Sequence, residues 1–202
     1  MRLILARHGE TPWNRERRNQ GQTHIGLNDE GVRQAQNTAH ALRHFPILAV
    51  YSSPLRRAMQ TAEAIGHAHS LPVTPLEGLK EMDLGRLDGL TNEEMQRQLP
   101  GLLDRWRKDP SSVQMPDGES LREVQQRVWD TLESIRRESH GEHTVAVSHN
   151  FVIGVIVLRV LGLPLSHFQR IRVELGSLTT LEHNGDRWNL VSLNEILHQH
   201  SS

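Results

Sequence analysis

Cysteine is absent from the 202 residues, which excludes a disulfide scaffold, a thiolate zinc or iron–sulfur centre and a cysteine nucleophile. No charge of one sign dominates: Lys+Arg is 23 against Asp+Glu 24, a formal net charge of -1 with neutral histidines. That balance supplies no overall field for holding nucleic acid or an acidic membrane, so any grip on an anion must be local. Long apolar runs are missing as well. The longest, Phe151 to Leu158, stops at Arg159, far short of the ~20 residues a membrane span needs. The start, Met1-Arg2 and then Leu3 to Ala6, has too short an apolar run for a signal peptide and no small-residue cleavage pattern, so a cytoplasmic location is expected. Aromatic residues are sparse at 4%, but 23% charged and 36% hydrophobic residues are the proportions of an ordinary folded chain. Histidine is abundant, at 13.

A chain of this length suits one domain with a full core, because single cores stop growing somewhere above ~250 residues. No linker, repeat or low-complexity tract divides it, so residues 1–202 are read as one domain. Leu3 to Ala6, Ile47 to Tyr51 and Thr144 to Val147 are continuous apolar runs, the pattern of parallel strands buried on both faces. Between the first two, Val32, Ala35, Ala39 and Leu42 recur at helical spacing behind Asn28 as N-cap. After the second, Ser53 as N-cap and Pro54 in the first turn predict a helix burying Ala58, Met59, Ala62 and Ile65. Ser120 and Glu123 form a capping box for a long helix leading into the third strand, and another helix runs from about Asn150 to Leu161, closed by Gly162 and Pro164.

Residues 72–116 break the pattern with Pro75, Pro100, Pro110 and Pro116 and one short helix capped by Thr91 and Glu94. This stretch reads as a crossover excursion covering one end of the sheet. Ser177 to Glu182 and Trp188 to Leu193 flank Asn184-Gly185-Asp186 as a hairpin, adding antiparallel edge strands, and the tail from His198 to Ser202 is expected to fray. The fold class is α/β: a mixed, mainly parallel sheet between helical layers.

Open α/β sheets bind ligands beyond the carboxyl ends of their parallel strands. Directly after strand one come Arg7, His8, Gly9, Glu10 and Thr11; after strand two Ser52, Ser53, Arg56 and Arg57; after strand three Ser148, His149 and Asn150. Arg57 and Asn150 stand near helix N-termini, whose N–H groups add to a positive focus. This rim is an oxyanion site, most simply one for phosphate. A neutral imidazole there can attack phosphorus in line while arginines spread over the equatorial oxygens, and no metal is then needed. The leaving alkoxide still requires a proton, and Glu81 and Asp83 in the excursion are the candidates.

The run LARHGETPWN from Leu5 to Asn14, followed by Arg18, Gln20 and Gly21, resembles the signature of the histidine phosphatase superfamily, the phosphoglycerate mutase-like family. SSPLRRAMQTAEAI, LKEMDLGRLDGLT, DGESLREVQQRV and VAVSHN resemble its further blocks, in the family's order and over nearly the whole chain. The resemblance implies a three-layer α/β/α fold, a phosphohistidine at His8, Arg7 and Arg57 as phosphate ligands and His149 as a charge-stabilising donor. It favours Glu81 over Asp83 as the general acid, later a base for water, with Asp83 satisfying backbone donors near Gly85. It places Asn14, Gln20 and Gly21 in the loop touching phosphate or substrate; Asn150, where relatives often have glycine, adds bulk or a donor. No cofactor and no metal is implied. Thr23 to Asn28 and Glu174 to Ser177 depart from the common pattern, which bears on substrate choice more than on chemistry.

The bland readings cover the rest. His40 with His44 and His67 with His69 have metal-compatible spacing but no evident further ligands, and read as solvated surface. Arg15, Arg17 and Arg18 read as a solvated loop face, and Leu102, Leu103, Trp106 and Met115 as excursion core. The expected activity is hydrolysis of small soluble phosphate monoesters. Its rivals are a cofactor-dependent phosphoglycerate mutase, for which the chain is short, and an idle binding relative, against which the complete set of five site residues speaks. The expected partner is a small phosphorylated metabolite, with no nucleic acid and no membrane; a homodimer stays open.

Overall fold

A computed structural model describes residues 1–138 and 143–199. The chain alternates β1 (Arg2–Arg7), α1 (Pro12–Arg15), α2 (Asp29–Leu42), β2 (Ile47–Ser52), α3 (Arg56–His69) and β3 (Val73–Pro75), then α4 (Asn92–Gln98), α5 (Leu102–Lys108) and α6 (Leu121–Glu138). It ends with β4 (His143–Ser148), α7 (Asn150–Val160), β5 (Leu178–His183) and β6 (Trp188–Glu195). The six strands form one sheet in the order β3-β2-β4-β1-β5-β6. β3, β2, β4 and β1 pair in parallel, and β5 and β6 continue antiparallel.

Alternation along the strands divides the core into two layers. Leu3 and Leu5 face α6 and α7, joining Leu121, Val128, Leu132, Ile153 and Ile156, while Ile4 and Ala6 face α2 and α3, joining Ala39, Leu42, Ala58, Ala62 and Ile65. Both faces of β1 are therefore covered, as its unbroken apolar run requires. α2 is capped by Asn28, whose Oδ1 accepts from Gly31 N at 2.8 Å, and α4 and α6 open on their Thr91–Glu94 and Ser120–Glu123 boxes.

Three expectations need correction. The helix after β2 starts at Arg56 with Leu55 as its cap residue; Ser53 Oγ instead accepts from Leu55 N at 3.2 Å, a local turn that competes with capping. The excursion leaves the sheet later than residue 72, because Val73–Pro75 first pair with Val50–Ser52 as the edge strand β3. Pro75 ends that strand, as befits a residue without an N–H on a sheet edge. The tail is anchored as far as Gln199, which is 8% exposed and donates from Nε2 to Thr38 Oγ1 at 3.0 Å and Gly176 O at 3.0 Å. Residues 200–202 lie outside the described part.

Candidate active site

The carboxyl ends of β1, β2 and β4 deliver their following residues to one rim, and the excursion brings the acid. His8 is 3% exposed. Its Nδ1 lies 2.7 Å from Gly9 O, an atom that can only accept, so Nδ1 carries the ring proton and Nε2 keeps a lone pair. Arg57 Nε donates to that Nε2 at 3.2 Å, and the His149 ring lies 5.1 Å from the His8 ring, centre to centre. Burial, then Arg57 and Arg7, holds His8 well below the usual imidazole range. Burial, Arg57 and His8 do the same to His149. Both rings are therefore neutral at neutral pH, and His8 is set in the tautomer of a nucleophile.

Arg57 is fully buried, although Arg56 beside it is exposed. Burial lowers its pKa to about 10, opposed by Glu81 and Asp88, which still leaves a cation at neutral pH. Of its five N–H groups one points at His8, one reaches Thr23 O at 2.9 Å and one Gly21 O at 2.8 Å, so two are uncommitted. The same loop is held from its other side by Asp88, which accepts from Gly21 N at 2.8 Å and Thr23 N at 3.0 Å. Thr61 joins the elements: its Oγ1 accepts from Gly9 N at 3.2 Å and donates to Arg57 O at 2.9 Å. Arg7 Nη1 donates to Val173 O at 2.5 Å, which fixes the guanidinium against the segment before β5.

Glu81 is 4% exposed. Oε1 accepts from Met82 N at 2.8 Å and Oε2 from Phe151 N at 3.3 Å, in the first turn of α7. Burial raises its pKa; the Met82 N–H, Arg57, the Phe151 N–H and Arg7 pull the other way. The result is a carboxyl that holds its proton above the ordinary carboxylate range, the property a general acid needs. Asp83 has the role expected of it: Oδ1 accepts from Gly85 N at 2.8 Å, a loop-forming contact.

The structure thus brings His8, Arg57, His149, Glu81 and Arg7 together. Arg7 Nε, both ring nitrogens of His149 and both amide atoms of Gln20 are buried without a protein partner. Buried polar atoms are rarely left so; an oxyanion would satisfy the donors among them, Arg7 Nε, the one N–H of a neutral His149 ring and the Gln20 amide NH2, while the remaining ring nitrogen and Gln20 Oε1 can only accept. Gly21 spends its N–H on Asp88 and its carbonyl on Arg57, so it shapes the loop. Asn14 Oδ1 accepts from Thr11 N and Thr11 Oγ1, both at 3.0 Å, closing the cap of α1 and leaving Nδ2 uncommitted. Asn150 is the first residue of α7, with His149 as the cap residue.

A family model for the histidine phosphatase superfamily, branch 1, matches residues 3–196. The chain belongs to the histidine phosphatase superfamily. A probable phosphoglycerate mutase of Salmonella arizonae is 33% identical over 197 residues, covering 93% of this chain and 87% of that protein. YhfR of Bacillus stearothermophilus superposes with a TM-score of 0.94 at 30% identity, over 98% of each chain. A mycobacterial glucosyl-3-phosphoglycerate phosphatase in complex with VO3 gives 0.86 at 31% identity, over 96% of this chain and 98% of that one.

Sequence reading missed the residues that hold the acid in place in this histidine phosphatase. Arg127 on α6 donates to Gly78 O at 2.9 Å, Lys80 O at 2.8 Å and Glu81 O at 3.0 Å. It also pairs with Glu119, Nε to Oε1 at 2.6 Å and Nη2 to Oε2 at 2.8 Å, while Glu119 Oε2 accepts from Asp83 N at 2.8 Å. Ser148 Oγ donates to Leu79 O at 2.7 Å from the end of β4. The one signal was the match of the block containing Glu119 and Arg127. Leu84, Met95, Leu102, Trp106, Met115 and Phe151 line a cavity of 270 Å³ beside this loop, so the expected excursion core is also a cavity wall. Among the described residues no group of three or more His, Asp or Glu side chains could hold a metal ion, and no helix is long and apolar enough to cross a membrane.

Proposed function

We propose that the protein is a phosphomonoesterase acting on small phosphate esters through a phosphohistidine at His8. The observation that carries this reading is the fixed tautomer: Nδ1–H bound to Gly9 O, with the Nε2 lone pair beside Arg57. Nε2 attacks phosphorus in line as the ester P–O bond breaks, and the Glu81 carboxyl gives its proton to the departing oxygen. Arg7, Arg57, His149 and Gln20 supply donors to the equatorial oxygens, where charge develops. The Glu81 carboxylate then takes a proton from water, the water oxygen bonds to phosphorus, and the P–N bond returns its electrons to Nε2.

The superfamily contains both mutases and phosphatases, and the cavity beside Glu81 favours hydrolysis. A mutase must retain a doubly phosphorylated, highly anionic intermediate long enough to return the phosphoryl group. Here that wall is mainly leucine, methionine and aromatic, and its one lining arginine, Arg107, is paired with Asp104 at 3.2 Å. An anionic product is held weakly there, and water takes the phosphoryl group. The test is a panel of phosphorylated metabolites with the wild type and His8→Ala. Phosphate release that vanishes in the variant, together with loss of acid-labile phosphoenzyme, supports the reading. Isomer exchange of a phosphoglycerate outpacing phosphate release would replace it with the mutase.

A further inference from the structure

At the opposite end of the sheet lies a groove of 390 Å³ that the catalytic chemistry does not use, between the C-terminal halves of α6 and α7 and the β5–β6 turn. Three arginines line it, one from each element: Arg136, Arg159 and Arg187. Arg136 is tied by Nε to Glu133 Oε2 at 2.8 Å, which leaves its Nη groups. Arg159 lies over the Trp129 ring, 4.3 Å from its centre, and meets no carboxylate among the described residues; nor does Arg187. Glu133 is further engaged by Trp188 Nε1 at 2.9 Å. His183 Nδ1 accepts from Gly185 N at 3.1 Å, so a neutral ring there carries its proton on Nε2, as a donor. In a chain whose net charge is -1, three guanidiniums against Glu133 and Asp186 are a local excess of cation.

We propose that this groove is a second ligand site, for a polyvalent phosphate such as the phosphate chain of a nucleotide. Guanidinium forks match phosphate oxygens, and three forks on separate elements suit an anion with several charged groups better than a single carboxylate. Recognition is of the anion and not of an attached ring. Trp188 is only 6% exposed and the Trp129 face is covered by Arg159, so no indole is free for stacking.

The test uses methylenebisphosphonate, which resists hydrolysis, in calorimetric titrations of the wild type and of Arg159→Ser/Arg187→Ser. Tryptophan emission is followed in parallel, because Trp129 reports on the loss of Arg159. One class of binding heats should weaken by at least about tenfold in the double variant, with kcat/KM for ester hydrolysis unchanged in the absence of the probe. Arg187→Ser alone, at an exposed turn position, should weaken the same class and cannot disturb the core. Identical isotherms for the wild type and both variants overturn the proposal, as does citrate binding as tightly as the bisphosphonate.

Discussion

Replacing Arg127 by methionine separates the acid from the rest of the site. Its guanidinium makes two contacts with Glu119 and three with the carbonyls of Gly78, Lys80 and Glu81, and the two side chains are only 24% and 20% exposed. Breaking a buried pair costs about 3–5 kcal/mol, and partial exposure brings the figure here to about 3 kcal/mol. A domain of ordinary stability, about 5–15 kcal/mol, remains folded after such a loss. The phosphate cradle stands at the ends of β1, β2 and β4; Arg127 makes no hydrogen bond to it and acts on His149 only through its charge, the least of the influences there, whereas Glu81 loses the clamp on its backbone. A displacement of about 1 Å costs on the order of 100-fold in a step that needs the acid. An alkyl phosphate, whose alkoxide cannot leave without a proton, should therefore lose about 100-fold in kcat/KM. An aryl phosphate with an acidic phenol should lose only a few-fold. The double variant with Glu81→Gln should be no worse on the alkyl ester than Glu81→Gln alone. Equal losses on both esters would refute the reasoning, since they would place the damage in the cradle and not in the proton donor.

Further outcomes follow from the same geometry. His8 is held below and Glu81 above its ordinary pKa, so kcat/KM should fall toward low pH as His8 takes a proton and toward higher pH as Glu81 loses one; Glu81→Gln should remove the high-pH limb on an aryl ester. The native state binds the Glu81 proton more tightly than the unfolded chain does, so this residue costs stability as pH rises through the interval between its two pKa values and above it. Thermal melts of Glu81→Gln should therefore lie above those of the wild type at neutral pH, the gap closing toward the ordinary carboxyl range. Gly31→Ala should destabilise by about 2 kcal/mol in urea unfolding and reduce activity: its Cβ would stand 2.0 Å from Glu10 O, which outweighs the ~1 kcal/mol that alanine gains in a helix. A stabilised Gly31→Ala would show that the loop after β1 yields more easily than its contacts imply.

The strand ends and the residues they deliver were legible because hydrophobic runs, capping boxes and the rule for open α/β sheets all act over short distances in sequence. His8, Arg57 and His149 each follow a strand end within five residues. What stayed hidden depends on contacts far apart in the chain. The clamp of Arg127 on Gly78 spans 49 positions and the bond from Arg7 to Val173 spans 166, and neither has a local pattern. Ser53 misled because a serine before a helix can satisfy the backbone in two ways, and only the tertiary setting chooses between them. β3 was missed because three residues, one of them Pro75, carry too little periodicity to register.

The partner of His8 Nδ1 is a peptide carbonyl and not a carboxylate. Once Nε2 carries a phosphoryl group the ring is cationic, and Gly9 O, being neutral, offers it little compensation, while Arg7 and Arg57 oppose that charge. The P–N bond is thus formed at high transfer potential, with imidazole as a ready leaving group. A carboxylate at that position would make a longer-lived phosphoenzyme, a store that waits for an acceptor. With the carbonyl, the phosphoenzyme is a short-lived carrier that the next encounter with water discharges, while the overall equilibrium remains that of ester hydrolysis in water.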